Sequence, residues 1–236
     1  MNKRLLVISD IHGCYDEFRL LLHEVKYDAQ KDQLILLGDY VNRGKDSLQV
    51  VQYVYELVQA GAIALKGNHD EWFVKYLRNV DNTFARFTSD KVGGYATLQS
   101  FLPGVALQQE DNAKYQKMIC RKYSHLVDFL EQLPYTFETA THLFVHAGVD
   151  PEKQLHENSS LNFIMSRWHF INEPCRLKKV IVFGHTTCVM IHGKPEPWVK
   201  ENKIGLDGGC CFGYQLNCLE INEKNELATY FVKAIE

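Results

Sequence analysis

The sequence predicts an α/β fold with two sheets. Three observations carry that reading. The first 70 residues alternate short apolar runs with segments of helical period, the region from about residue 135 onward is rich in strand-like runs, and the stretch between them follows neither pattern. Taken in order, "RLLVIS" reads as a buried strand, and Tyr15–Val25 sets Phe18, Leu21, Leu22 and Val25 on one helical face. "QLILLG" is the next strand. Residues 47–60 place Val50, Val51, Val54, Leu57 and Val58 at helical spacing before Gly61 ends the run. "AIALKG" is a third strand, followed by a helix from about His69 to Arg78. A βαβαβα order implies parallel strands with helices on the sheet.

The middle stretch, about 81–133, contains Gly93-Gly94, Pro103-Gly104 and a helical "YSHLVDFLEQL", and reads as a cap or small helical insertion. Beyond it, "YTFET", "HLFVHA", "KVIVFG", "CVMIH", "KIGLD", "YQLNCLEI" and "LATYFVK" read as strands, the last two joined by a polar hairpin turn in "EINEKNEL". The chain, 1–236, is read as a single domain with that insertion.

Composition narrows the function classes. At 46% hydrophobic and 23% charged residues, the chain resembles an ordinary globular protein. Its net charge of −3 gives no basic field for a nucleic-acid polymer. No apolar run approaches the length of a membrane span, and the apolar stretch after "MNKR" stops at Asp10, too short for a signal sequence. Seven cysteines without a CxxC pair suit reduced thiols and a cytoplasmic location.

Five motifs sit where strands run out: "DIHG" with Asp10 and His12, "GDYVNRG" with Asp39 and Arg43, "GNHD" with Asn68 and His69, "VHAG" with His146, and "GHT" with His185. Strand ends of an α/β sheet converge on one crevice, so these side chains are expected together. Mixed carboxylate, amide and imidazole donors suit Mn, Fe or Zn better than a thiolate-held ion. Singly, each Asp reads equally well as a turn or cap residue, and each His as a hydrogen-bonded core residue. Their joint occurrence in order is what argues for a site.

Together the motifs DxH, GDxxxRG, GNH[DE], a later strand-end His and GHT resemble the calcineurin-like metallophosphoesterase superfamily. The spacing is most similar to its phosphoprotein phosphatase branch, with compact bacterial and phage members and the related diadenosine tetraphosphatases. The resemblance implies a two-sheet αββα sandwich and two divalent metal ions, manganese first, with iron or zinc as alternatives. Asp10, His12 and Asp39 would hold one ion. Asp39 would bridge to a second held by Asn68, His146 and His185, and a hydroxide bridging both would attack phosphorus. Arg43 would bind phosphate oxygens, as would Arg167 in "FIMSRWHF", and His69 would protonate the leaving oxygen. In the resembled enzymes an Asp orients that histidine; here the position is Asn42, expected to accept a hydrogen bond through its amide oxygen, with Asp70 or Asp46 as possible compensating charges.

The first reading of function is a serine/threonine-type protein phosphatase acting on phosphorylated protein. The alternative is a hydrolase of dinucleoside polyphosphates such as diadenosine tetraphosphate, for which Tyr95, Phe101, Trp168 or Tyr214 would stack the base. A third reading, a phosphate-binding module weakened at Asn42, is disfavoured by the intact ligand set. Cys14, Cys210 and Cys211 are read as packing residues.

Overall fold

The computed structural model describes residues 3–80 and 86–235. Two five-stranded sheets stack face to face. The first has the order β10-β9-β1-β2-β3, built from β1 (Arg4–Ile8), β2 (Asp32–Leu36), β3 (Ile63–Ala64), β9 (Gln215–Ile221) and β10 (Leu227–Lys233). The second has the order β4-β5-β6-β8-β7, from β4 (Thr136–Glu138), β5 (His142–Val145), β6 (Val180–Phe183), β7 (Trp198–Lys200) and β8 (Lys203–Gly205). β1, β2 and β3 run parallel, as do β5, β6 and β8, so their carboxyl ends open on a common edge.

The continuous apolar runs follow from burial on both faces. Leu6 and Ile8 of β1 and Leu34 and Leu36 of β2 face a core shared with the helices. The residues between them, Val7 and Ile35, face the second sheet, where they meet Phe144 of β5 and Val182 of β6. Leu143, Ile181 and Phe183 point the other way, onto Phe170 and Ile171. Each such fully buried aliphatic side chain contributes about 1.5–3 kcal/mol. The order of layers is therefore helix, sheet, sheet, helix.

On the first sheet lie α1 (Tyr15–Glu24), α2 (Ser47–Gln59) and α3 (Asn68–Leu77). Asp16 and Glu17 open α1, and Asp70 and Glu71 open α3, where carboxylates favour the positive end of the helix dipole. Of the middle segment, residues 81–85 lie outside the described residues. The remainder forms α4 (Gly94–Phe101), α5 (Asn112–Lys122) and α6 (Ser124–Gln132), and buries Leu98, Phe101, Tyr115, Ile119, Leu126 and Leu130 in the same core as α2 and α3. Two short helices, α7 (Ser160–Met165) and α8 (Trp168–Asn172), cover the second sheet.

One strand assignment is corrected. "CVMIH" forms a short helix, α9 (Cys188–His192), although Val189 and Ile191 favour strands. Thr187 caps it, its hydroxyl accepting the Met190 N–H at 3.3 Å, and Gly193 ends it in the left-handed conformation. Local capping overrides the strand propensity of Val189 and Ile191. Among the described residues no helix is long and apolar enough to cross a membrane.

A staple ties three strands at the end of the sheet remote from the convergent loops. Arg4 donates from Nε and Nη2 to the two Asp32 oxygens at 2.9 and 2.8 Å, from Nη1 to Glu220 at 3.1 Å, and from Nη2 to the Val25 carbonyl at 3.1 Å. Burial works to raise the Asp32 carboxyl, but the Arg4 fork and the Asp28 N–H outweigh it and hold it below its usual value. A depressed carboxyl pKa stabilises the fold above the unfolded-state value, about 3.9, and that stability is lost as pH falls through the folded-state value. Asp32→Asn is therefore expected to cost about 1.5–3 kcal/mol near neutral pH, measured by urea unfolding, and the gap to wild type should close towards about pH 3. An equal gap at both pH values would show that the charge does not matter.

Candidate active site

The loops that follow β1 and β2 are zipped together beyond the strands. Asp10 N–H donates to the Gly38 carbonyl at 3.2 Å, His12 N–H to Asp39 at 2.8 Å, and Gly13 N–H to Tyr40 at 3.0 Å. Six side-chain-bearing residues here adopt positive φ: Asp10 (53°), His12 (46°), Asp39 (59°), Asn42 (73°), Arg43 (72°) and, after β6, His185 (65°). Left-handed backbone costs such residues of order 1–3 kcal/mol each, so their clustering marks a place where geometry outranks local stability. Gly13 and Gly44 permit the close crossing of the two loops: a Cβ on Gly13 would lie 2.6 Å from the Gly44 carbonyl oxygen.

Asp70 holds this arrangement. Its buried carboxylate accepts the N–H groups of Asp39 (2.8 Å), Tyr40 (2.9 Å) and Gly67 (2.9 Å). Burial still pushes its carboxyl up to about 6. Neither Asp70 nor Asp46 lies against His69: Asp70 is committed to backbone, and Asp46 accepts from Gln49 at 3.1 Å. The expectation of a compensating charge is therefore corrected.

Around Asp39 the strand ends deliver what their motifs promise. Asp39 Oδ2 lies 3.4 Å from His12 Nε2, 3.5 Å from His146 Nε2 and 4.0 Å from His69 Nε2, while Oδ1 accepts the His69 N–H at 2.9 Å. Ligand atoms of Asp39, His12 and His69 form one close group, and those of Asp39, His146 and His185 another, so Asp39 belongs to both. Asp10 accepts the His185 N–H at 3.1 and 3.0 Å through its two oxygens and takes the Ser9 hydroxyl. All these residues are buried.

The donor set fits divalent cations. His12 and His146 donate Nδ1–H to the carbonyls of Val41 (2.8 Å) and Leu37 (3.0 Å), which turns each Nε2 lone pair into the cleft. His146 Nε2 then faces the Asn68 oxygen at 2.9 Å, acceptor against acceptor. His185 Nε2 is buried without a hydrogen-bond partner. Burial holds the His12 and His185 rings well below their ordinary values and lowers that of His146, so no proton is at hand to relieve these contacts. Burial, with Asp10 and Asp70 nearby, pushes Asp39 well above its ordinary value. A cation reconciles both facts: it accepts the lone pairs and offsets the buried carboxylate.

Arg43 reaches into the same space, Nη1 lying 2.9 Å from His12 Nε2 and Nη2 3.2 Å from His69 Nε2. The Phe212 ring lies under its guanidinium at 4.7 Å, and Cys211 Sγ accepts from Nη1 at 3.8 Å. Arg167 is exposed at the start of α8, and its charge works to lower the His146 and His185 rings.

Asn42 meets His69, with a polarity opposite to the one expected. The amide presents Nδ2 to His69 Nδ1 at 3.0 Å, and the Thr97 hydroxyl donates to the amide oxygen at 2.8 Å. Thr97 also accepts the Asn42 N–H at 2.8 Å. Both ring nitrogens of His69 thus face donors, Nδ1 the Asn42 amide and Nε2 the Arg43 guanidinium, and a neutral ring can accept from only one of them.

Four contributors escape the motif reading. Thr97 comes from the inserted segment, where nothing in "GYATLQSF" signals a role. Asp207, buried and pushed well above its usual value by burial and by Asp10, follows the strand "KIG" as the other acids follow theirs, and that position was the available signal. Phe212 and Trp72 are the aromatics at the site, Trp72 lying 4.8 Å from the His69 ring. Of the four proposed base-stacking residues, Phe101 is instead core, 1% exposed, and Tyr95 packs against that core; Trp168 and Tyr214 are exposed.

This fold and this convergence of residues define a metallophosphoesterase. The chain matches the model of the calcineurin-like phosphoesterases over residues 3–189, and it belongs to that family, whose members use divalent metals. It is 30% identical to a symmetrical bis(5'-nucleosyl)-tetraphosphatase of Buchnera aphidicola, covering 89% of this chain and 90% of that one. The Vibrio campbellii protein of the same name is 26% identical, covering 92% and 95%. Among solved structures, one ascribed to a diadenosine tetraphosphatase superposes with a TM-score of 0.68 at 21% identity, covering 99% of this chain and 94% of that one. A Saccharomyces cerevisiae protein serine/threonine phosphatase superposes at 0.64 with 15% identity, covering 99% and 81%. At such identities the structures speak for the fold alone.

Removing the shared carboxylate should empty the whole centre. Asp39→Asn is expected to lose both ions by elemental analysis after dialysis against Mn²⁺, whereas His185→Ala should lose only one. Two ions retained in Asp39→Asn would break the shared-carboxylate geometry.

Proposed function

We propose that the chain hydrolyses dinucleoside polyphosphates of the diadenosine tetraphosphate kind. The observation that carries this reading is the likeness, over nearly the whole of both chains, to relatives named for that activity. In this reading Asp10, His12 and Asp39 hold one ion, and Asp39, Asn68, His146 and His185 hold the other, with Mn²⁺ suited to the oxygen and nitrogen donors. Bound there, divalent ions would supply Lewis acidity and make water acidic enough to attack phosphorus near neutral pH. Arg43 sets the phosphate with a forked donor, and Arg167 adds positive charge at the rim. His69 hands its Nε2 proton to the leaving oxygen.

The chemistry of His69 agrees with a phosphoanhydride substrate. Burial, with His12 and Arg43 beside it, holds the ring well below its ordinary value. Asn42 opposes the charged form further, because a proton on Nδ1 would face the amide N–H₂ unless that amide turned over against Thr97. The protonated, proton-donating ring is therefore scarce near neutral pH. A nucleoside diphosphate leaving group ionises near neutral pH, as phosphates do with a second pKa of about 6, and needs little protonation. A serine or threonine alkoxide must be protonated as it leaves, and so needs a donor that is populated at the working pH. The site is better matched to the first.

The test is turnover by the Mn²⁺-loaded enzyme. Diadenosine tetraphosphate should yield two ADP with a kcat/KM at least about 100-fold above that for a phosphoserine peptide, a difference of roughly 2.7 kcal/mol in barrier. The reverse order would restore the protein-phosphatase reading. Arg43→Ala should lower kcat/KM for diadenosine tetraphosphate roughly 30- to 1,000-fold with metal content unchanged. Asn42→Asp would place an anion beside the imidazole and raise its pKa, so the proton-donating form should persist to higher pH. The alkaline limb of kcat is then expected to move up for alkyl phosphates and to shift much less for diadenosine tetraphosphate. Equal shifts on both would remove residue 42 from the acid step.

A further inference from the structure

Behind the cleft, three side chains outside the proposed catalytic set come together. Cys14 precedes α1, Glu17 lies in its first turn, and Cys210 lies in the turn before β9. One ligand atom from each falls within 4.8 Å of the others. They border a cavity of about 310 Å³ that Gly13, Gly44 and Cys211 also line. Glu17 is 7% exposed, and its Oε1 accepts the Ile235 N–H at 2.9 Å. Lys45 also lines this cavity, but among the described residues no ion pair joins it to Glu17. A buried carboxylate set against two thiols costs free energy unless a positive partner offsets it, and packing alone does not account for it.

We propose that Cys14, Glu17 and Cys210 form a second cation site, selective for a soft or borderline ion such as Zn²⁺ or Cd²⁺, whose occupancy slows the enzyme. Two sulfur donors and one carboxylate suit such ions, whereas Mn²⁺ prefers oxygen and nitrogen; three protein donors leave a fourth position to water. The carboxylate also decides between an ion and a disulfide. The Cys14 thiol, burial and the Glu17 charge together raise the Cys210 thiol, which opposes the thiolate that disulfide exchange needs. A divalent cation inverts this balance, because it favours the thiolates and is itself favoured by Glu17.

The link to turnover is short. Cys211, next to Cys210, touches Arg43, and Phe212 lies under the same guanidinium. Cys14 follows Gly13, whose backbone lies against Gly44 next to Arg43. Drawing Cys14 and Cys210 onto an ion moves the supports of the phosphate arginine from both sides. This inference does not depend on which phosphoanhydride is the substrate.

The test adds Cd²⁺ to the reduced, Mn²⁺-loaded chain and follows the ultraviolet thiolate-to-cadmium charge-transfer band. The His and Asp donors of the cleft include no thiolate, so ion exchange there is silent in this band. One equivalent should produce the band and slow hydrolysis of diadenosine tetraphosphate or, should that compound not be a substrate, of an aryl phosphate. Cys14→Ser and Cys210→Ser should each weaken Cd²⁺ binding at least about tenfold, equivalent to roughly 1.4 kcal/mol, and halve or abolish the band. Glu17→Gln should keep the band but bind more weakly, and Cys211→Ser should leave it in place. Circular dichroism checks folding; if a variant fails to fold, protection of Cys14 and Cys210 from alkylation by Cd²⁺ in wild type replaces it. The absence of a band at saturating Cd²⁺, a band undiminished in both serine variants, unprotected thiols, or a Cys14–Cys210 disulfide in its place would each overturn the proposal.

Discussion

A buried carboxylate facing neutral imidazoles is the constraint on which the site depends. Asp39 is 1% exposed, with His12, His69 and His146 around one oxygen and the carboxylates of Asp10 and Asp70 close enough to raise it further. No fold adopts this arrangement for its own stability. The surrounding chain is organised to maintain it: parallel strands end on a common edge, their loops bond to one another, and Asp70 gathers backbone N–H groups to fix the turn. The six left-handed residues add several kcal/mol of local cost. The doubly buried sheets supply the stability that bears it.

The same loop sets the chemical character of the site. An aspartate beside His69 would keep its ring protonated, and so able to donate, to higher pH. Asn42, locked by Thr97, holds the ring in place while withholding charge. The loss is small when the departing group is already a stable anion, and large when it is an alkoxide. Under the proposed function, what looks in the sequence like damage to a catalytic loop suits anhydride chemistry, and Phe212 lies against the Arg43 guanidinium.

Much of this was legible beforehand because it is written in local pattern. A strand buried on both faces produces a run such as "LILL", and a motif after each run identifies the residue at the strand end. The six proposed ligands and His69 were singled out this way. What escaped depends on contacts made at long range. Thr97 acts across 55 residues, and the polarity of the Asn42 amide follows from it. The position of Phe212 under Arg43 comes from a turn that the sequence shows only as glycine-rich. "CVMIH" reads as a strand because its alternating Val189 and Ile191 outweigh a threonine cap and a terminal glycine.

The central claim is that the cleft is built around cations, and stability measures it directly. Binding to the folded state alone stabilises by RT ln(1 + [L]/Kd), about 2.7 kcal/mol at 100 times the Kd. Urea unfolding of metal-free protein should find Asp39→Asn more stable than wild type, because the variant is relieved of a buried charge. Saturating Mn²⁺ should reverse that order by stabilising wild type and leaving the variant nearly unmoved. If Mn²⁺ stabilises both proteins equally, or neither, Asp39 is not the residue the ions share, and the account of the site is wrong.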